Sequence, residues 1–159
     1  MALKVPRCAR CPGACELKTL PSVSAEDGPL KLSMLALPVF RCLKDHSAPV
    51  HGDFMIWLIQ QIRAQEGGIA AGKEEGMLFK KHLCGSCGKE LAAKSERRQA
   101  FPCELKYEEL APFRLDLEMP MYKCTGCGKE QIRSTKDLHA RVPEAMVGIN
   151  DGAGFPHSG

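Results

Sequence analysis

The residues best suited to chemistry in this chain are cysteines arranged as two Cys-x-x-Cys knuckles, each continuing into Gly-Lys. Cys84 and Cys87 form one knuckle, and Cys124 and Cys127 form the other. Four thiolates contributed by two such knuckles make a tetrahedral site, for which zinc is the usual ion. The glycine after each knuckle tolerates a positive φ, so that the bend directs backbone N–H groups at the sulfurs. The spacing therefore predicts a closed metal site with these four ligands.

A second group of candidate ligands lies in the N-terminal third of the chain. Cys8 and Cys11 form another Cys-x-x-Cys pair, and Cys42 and His46 follow as Cys-x-x-x-His. Three thiolates and one imidazole are a common structural zinc ligand set. The sequence therefore predicts two zinc ions per chain, with iron as the less favoured occupant.

The ligand set of the N-terminal site has alternatives. Pro12 lacks the N–H that normally supports a knuckle sulfur, and Cys15 offers a competing thiolate. His51 is an alternative nitrogen ligand. An iron–sulfur cluster needs four thiolates, which Cys8, Cys11, Cys15 and Cys42 would supply, although their spacing is not that of a ferredoxin. Cys103 has no evident partner and is expected to behave as a small buried hydrophobe.

Length, cysteine usage and charge fit a small intracellular metal protein. The 159 residues suffice for one ordinary domain or two small ones. Nine cysteines, in a chain whose first residues lack an apolar signal-peptide core, indicate metal ligands in the cytoplasm rather than disulfides. The longest apolar run, residues 54–59, is far shorter than the about 20 residues of a membrane span, and we expect no membrane partner. The formal net charge of +3 falls to about zero when both zinc sites are loaded.

Two parts of the chain resemble each other. Residues 37–42 and residues 119–124 both read apolar, Pro, apolar, aromatic, basic, Cys. Ahead of them, residues 30–34 and residues 115–119 alternate apolar and polar side chains, which is typical of half-buried strands. The sequence thus predicts an internal repeat of knuckle, hairpin, strand and knuckle, which is the order of elements in a zinc ribbon.

Residues 82–131 resemble the zinc-ribbon superfamily, with the two Cys-x-x-Cys-Gly knuckles carrying the resemblance. The apolar-aromatic strand that runs directly into the second knuckle is similar to the ribbon of YgiT-type proteins. The resemblance implies the ribbon fold and the four cysteine ligands. It implies no activity, because this superfamily serves transcription, translation, toxin regulation and enzyme scaffolding alike.

The expected fold class is a small metal-stabilised α+β protein, in which two zinc ribbons are joined by one helix and short helices follow at the C-terminus. Asp53 is a good N-cap for the joining helix. Its apolar residues recur at helical spacing: Met55, Leu58, Ile59 and Ile62. The tail is expected to contain two short helices, one starting at Ser134 and one at Pro143.

The expected divisions follow the composition of the chain. Glycines and few apolar residues over 67–78 favour a flexible linker. The divisions are an N-terminal zinc ribbon over 1–50, a connecting helix over 51–66, the Gly-rich linker over 67–78, a C-terminal zinc ribbon over 79–133 and a helical tail over 134–159.

No catalytic signature accompanies the metal sites, and a site closed by four protein ligands has no position for a substrate or water. Residues 67–73 match Gly-x-x-x-x-Gly-Lys, but Glu74 stands where a phosphate-binding loop needs Ser or Thr, so we expect no nucleotide. The expected function is therefore a non-catalytic binding or regulatory adaptor. Its expected partner is a protein, or a second copy of the chain bound through the helix over 53–64.

Two other functions are alternatives. The basic residues Lys94, Arg97 and Arg98 precede Phe101, and this combination suits contact with single-stranded nucleic acid. The preferred interpretation is a solvated loop with an inward aromatic, because a dedicated nucleic-acid binder usually has a basic stripe and a high pI. Alternatively, iron in the all-thiolate site would make a rubredoxin-like electron carrier.

Overall fold

The chain forms a mostly antiparallel sheet with two helices against one of its faces, and the computed structural model describes residues 4–156. Each half contributes two long strands, a short strand and a helix in that order, and a small hairpin lies between the halves. The elements are β1 (Cys15–Asp27), β2 (Leu30–Cys42), β3 (Ser47–Ala48), α1 (Phe54–Glu66), β4 (Lys73–Glu75), β5 (Lys81–Leu83), β6 (Arg97–Leu105), β7 (Phe113–Lys123), β8 (Glu130–Gln131) and α2 (Thr135–Ala153).

The long strands of both halves belong to one sheet. Their order is β1-β2-β7-β6, with β3 beside β2 and β8 beside β7. At the centre, Met34 lies opposite Leu115 and Leu32 lies opposite Leu117. The sequence predicts two ribbons linked by a single helix, and the structure does not confirm that arrangement. Each period-two strand buries one face, and pairing β2 with β7 joins those faces into one larger core.

The first helix packs on the sheet, where its residues join a cluster of aromatic rings. Phe54 at its start lies 5.1 Å from the ring of Tyr107 and 6.0 Å from that of Phe113, measured between centroids. The predicted apolar face is slightly rotated: Phe54, Leu58 and Ile62 are buried, whereas the side chains of Met55 and Ile59 are half-buried. The helix is therefore part of the core.

The prediction of two short C-terminal helices is wrong, because the structure has one long helix, α2, in their place. Ser134 is its N-cap and accepts a hydrogen bond from the backbone N–H of Asp137. The helix continues through Pro143, whose side chain is exposed. Its buried residues recur on one face both before and after the proline, so packing against the sheet outweighs the missing hydrogen bond at that position. These residues are Leu138, Val142, Ala145, Met146, Ile149 and Ala153.

A glycine lets α2 approach the edge strand β1 closely. A Cβ atom built on Gly148 would lie 2.6 Å from the Cβ of Ala25. Only a residue without a side chain fits this contact, because carbon atoms pack at about 3.5–4.0 Å. The helix is thus fixed against β1 as well as against the centre of the sheet.

Residues 67–78, expected to form a flexible linker, contain regular pairing. Ala71 makes a parallel bridge with Ile132, and β4 pairs antiparallel with β5. Gly72 is enclosed by backbone, since a Cβ there would lie 2.7 Å from the carbonyl oxygen of Leu83. The β4–β5 hairpin is therefore attached to the second half of the chain at its base.

Buried apolar side chains form one large and one small cluster. The large cluster includes the inner face of the sheet and both helices. The small cluster contains Cys84, Leu91 and Cys124, with Tyr122 packed against it. No helix within residues 4–156 has the length and apolar content to cross a bilayer.

Candidate metal centres

The ligands of the predicted all-thiolate site meet at the end of β7. Cys84 follows β5 and Cys124 follows β7, and the four sulfur atoms of Cys84, Cys87, Cys124 and Cys127 lie within 4.8 Å of one another. We call this group the four-cysteine cluster. The Sγ atoms of Cys84 and Cys127 are 3.7 Å apart, and those of Cys87 and Cys124 are 3.3 Å apart. Zinc–sulfur bonds of about 2.3 Å in a tetrahedron place sulfur atoms about 3.8 Å apart, so the group fits a zinc ion.

Backbone N–H groups surround the inner sulfurs of the four-cysteine cluster, as the knuckle spacing predicts. The N–H groups of Ser86 and Cys87 donate to Cys84 Sγ at 3.3 and 3.5 Å. In the other knuckle, the N–H groups of Gly126 and Cys127 donate to Cys124 Sγ at 3.3 and 3.4 Å. The glycines that follow the knuckles have φ of 80° and 76°, a conformation that side chains with a Cβ rarely adopt.

A buried glutamine that no sequence motif indicates completes the surroundings of Cys84. Gln131 on β8 donates from Nε2 to Cys84 Sγ at 3.3 Å and accepts from the N–H of Gly85 at 2.9 Å. The hydrogen bonds from Cys87, Gln131 and Ser86 lower the pKa of Cys84 to about 5. In the sequence, Gln131 stands between Glu130 and Ile132 and belongs to no motif. The sequence therefore does not indicate this role.

Hydrogen bonds within the four-cysteine cluster shift the pKa values of its thiols in opposite directions. The N–H of Cys127 is the main cause that lowers the pKa of Cys124. The N–H of Lys129 would lower the pKa of Cys127, but burial and hydrogen bonding to the other three thiols raise it to about 11. A divalent cation at the centre would allow all four thiols to ionise, which is the chemistry this donor set offers.

The predicted N-terminal ligands also meet. Cys8 and Cys11 precede β1, Cys42 ends β2 and His46 follows it, and their ligand atoms lie within 4.8 Å of one another. We call this group the cysteine–histidine cluster. Cys8 Sγ is 3.3 Å from His46 Nδ1, and the Sγ atoms of Cys11 and Cys42 are 3.7 Å apart. Tetrahedral zinc with three sulfurs and one nitrogen places sulfur and nitrogen about 3.6 Å apart, so this group fits zinc as well.

The alternative ligands lie outside the cysteine–histidine cluster. Cys15 faces Cys42 across the β1–β2 pair but does not belong to the group of four, and burial raises the pKa of its thiol. His51 Nδ1 instead accepts a hydrogen bond from the N–H of Asp53 at 3.1 Å. Asp45 adopts φ of 62°, the left-handed conformation that a glycine would supply before the histidine and that Asp tolerates better than most residues.

The cysteine–histidine cluster is connected to the second helix. The N–H of Arg10 donates to Cys8 Sγ at 3.4 Å, and its guanidinium donates to the carbonyl oxygen of Gly154, the C-cap of α2, at 2.9 Å. Burial would raise the pKa of Cys8, but hydrogen bonds from Arg10, Cys11 and His46 lower it to about 6. The knuckle therefore links the N-terminal segment to the end of α2.

The candidate nucleic-acid contacts do not form one free basic surface. Arg97 donates to Glu130 at 2.6 Å, and Arg98 donates to Glu118 at 2.9 Å. Phe101 is half-buried and packs against the large apolar cluster. Lys94 is exposed.

Comparison of the chain with protein-family models, with curated proteins and with solved structures gives no match. The structure is a small α+β fold of mostly antiparallel strands, with two helices and two cysteine-rich clusters arranged as metal sites.

Proposed function

We propose that the chain is a non-catalytic binding or regulatory adaptor, shaped by one zinc ion in each cluster. The observation that carries this proposal is the closed four-cysteine cluster, in which four sulfurs surround one point and backbone N–H groups bond to Cys84 and Cys124. A catalytic zinc keeps a coordination position for water or substrate, and four protein donors fill all positions of a tetrahedral ion. The nine cysteines are unpaired, which suits a reducing compartment, and we place the protein in the cytoplasm.

The proposed partner is another protein, or a second copy of this chain, bound on the outer face of α1. Ile56 on this face is 58% exposed, and Met55, Trp57 and Ile59 beside it are only partly buried. Amphipathic helices often bind partners through apolar residues at this spacing. With both zinc sites loaded, the net charge of about zero favours a mixed protein surface over a phosphate backbone.

Nucleic acid is the second candidate partner, and two observations weigh against it. Arg97 and Arg98 are already paired with glutamates, and Phe101 packs toward the core instead of standing free to stack on a base. If nucleic acid is nevertheless the partner, affinity should fall steeply as salt is raised, since phosphate contacts release counterions.

Metal content and an absorption spectrum, on protein purified without added metal or oxygen, test the proposed zinc sites. Two zinc ions per chain and no visible colour would support closed structural sites. Iron with visible charge-transfer bands in the all-thiolate four-cysteine cluster would replace the adaptor by an electron carrier.

The partner surface is tested by a matched pair of substitutions. Ile56→Glu on α1 should abolish self-association, or binding of an identified protein partner, while leaving the zinc content at two. The control is Val147→Glu on α2, where the side chain is also half-exposed and apolar. Equal effects of the two substitutions would exclude α1 as the binding face.

A further inference from the structure

The hairpin between the two halves ends in three apolar side chains that contact almost nothing. Met77, Leu78 and Phe79 are 99%, 91% and 86% exposed. The other exposed large apolar side chains within residues 4–156 stand one at a time along the sequence. Single exposed hydrophobes are normal on a protein surface, whereas a contiguous exposed group marks an interaction site. We call residues 76–80 the hairpin tip.

The hairpin tip is held in a defined conformation. Gly76 has φ of 102°, and a Cβ there would collide with the carbonyl oxygen of Phe79, so the turn closes tightly. Behind the tip, Glu75 pairs with Lys81 and Lys73 pairs with Leu83. Because Leu83 directly precedes Cys84, the four-cysteine cluster fixes the base of the hairpin. The three side chains therefore project from a preformed support.

Positive charge accompanies the hairpin tip. Lys80 and Lys81 follow Phe79 directly, and their ammonium groups lie 3.6 Å from Glu74 and from Glu90 with more than half of each side chain exposed. Residues 73–98 and 123–133, which include the hairpin, both knuckles of the four-cysteine cluster and the segments that follow them, contain ten lysines and arginines and five glutamates; Glu118, the partner of Arg98, adds a sixth glutamate. Four thiolates and one zinc ion remove two charges and leave this end of the molecule positive.

We propose that the hairpin tip inserts into the headgroup region of an anionic lipid membrane, with the lysines behind it at the level of the phosphates. Apolar side chains that enter the interface, supported by basic residues near its surface, are the two contributions that hold peripheral proteins on anionic bilayers. A projecting tip needs no matching cavity in a fluid bilayer. This surface lies apart from α1 and goes beyond the adaptor function.

A second copy of the chain is a less suitable binding partner for the hairpin tip than a bilayer. One cavity lined by the apolar side chains of Ile69, Phe101, Leu115 and Leu117 has a volume of about 180 Å³. A cavity of about 150 Å³ holds a single benzene molecule, so this cavity suits one ring but not three side chains.

Membrane binding by the hairpin tip departs from the sequence-based expectation of no membrane partner, which considered only apolar runs long enough to span a bilayer. Surface insertion requires no such run.

Co-sedimentation with vesicles tests the proposal, using the zinc-loaded full chain. We expect binding to vesicles of phosphatidylcholine mixed with phosphatidylserine, weaker binding to phosphatidylcholine alone, and a loss of affinity with added salt. Leu78→Ser combined with Phe79→Ser should lower the partition coefficient at least about tenfold, because two large apolar side chains no longer leave water. The matched control is Leu43→Ser, since that side chain is also almost fully exposed but belongs to the end of the molecule that holds the cysteine–histidine cluster.

Folding and self-association are measured on the same samples. The double variant should keep its far-UV circular dichroism and both zinc ions, since the replaced side chains lie in solvent. Equal vesicle binding by the double variant and the wild type would overturn the proposal, as would failure of the wild type to bind either vesicle. Self-association of the wild type without vesicles, abolished by the double variant, would also overturn it and identify a second copy as the occupant. The adaptor proposal is tested separately by the metal content, and none of these vesicle results bears on it.

Discussion

Replacing Cys124 by serine should unfold the end of the molecule that holds the four-cysteine cluster, while the main sheet stays folded. The small apolar cluster at this end has only three buried members, Cys84, Leu91 and Cys124, and it is separate from the large cluster. The two knuckles, Cys84–Lys89 and Cys124–Lys129, hold twelve residues in fixed conformations. Local order here therefore depends on something other than apolar burial.

The free energies show what the metal must contribute. Fixing twelve residues costs about 18 kcal/mol at about 1.5 kcal/mol each. Of the buried members only Leu91 is not itself a zinc ligand, and its burial returns about 2 kcal/mol. The deficit of about 16 kcal/mol equals the upper end of the roughly 10–16 kcal/mol that a structural zinc site supplies at neutral pH. Without its fourth thiolate the cluster loses most of this contribution, and the knuckles should open.

Amide hydrogen exchange on Cys124→Ser provides the assay. We expect fast exchange over both knuckles, retained protection in β2 and β7, and one zinc ion per chain. The control is Cys103→Ser, because Cys103 is half-buried on β6 and belongs to neither cluster. Loss of protection in β2 would show that the sheet depends on the four-cysteine cluster, and protected knuckles without metal would show that the free-energy estimate is wrong.

Four further predictions concern the core, the helix contact and the two metal clusters. Leu58→Ala should lower the unfolding free energy by about 2–5 kcal/mol in denaturant titration, because the side chain is fully buried. Gly148→Leu should cost about 1–3 kcal/mol and lower the melting temperature, since a Cβ at this position would lie 2.6 Å from the Cβ of Ala25. Cys15→Ser should leave two zinc ions per chain by elemental analysis, and loss of one would place Cys15 in the ligand set. The pKa of Cys84 is lowered from 9.0 to about 5, so stability from its thiolate is present above pH 9 and lost as the pH falls through about 5; bound zinc competes with the proton for this thiolate, so zinc release, followed with a chelating dye, should occur no higher than that pH, and release near neutral pH would contradict the assignment.

The ligand clusters are predictable from sequence because knuckle geometry is local. A Cys-x-x-Cys turn sets the separation of its two sulfurs within four residues. In the four-cysteine cluster, the glycine after each turn marks the positive φ that the bend requires. The strands around Leu32 and Leu117 are also predictable, since alternation fixes which side chains are buried. Gln131 is not predictable in this way, because its contact with Cys84 depends on how β8 pairs with β7.

The larger arrangement depends on contacts that no local pattern specifies. Alternation in β2 and in β7 shows that each buries one face, but it does not show that they are neighbours. Pro143 favours a helix start when the local sequence is considered alone. The buried residues Leu138, Val142 and Met146 continue the helix through it, because they belong to the large apolar cluster in which α2 packs against the sheet and α1.

The pairing of β2 with β7 gives the sheet an internal symmetry. The order β1-β2-β7-β6 is unchanged when the halves are exchanged, and Ser33 and Asp116, the fourth residue of each central strand, lie opposite each other. This order and register are those that a two-fold rotation through that pair would produce, as in an isologous dimer. Half of this chain by itself would leave β2 as an open sheet edge, to be covered only by a second copy and only at sufficient concentration. Joined in one polypeptide, the same sheet forms at any dilution.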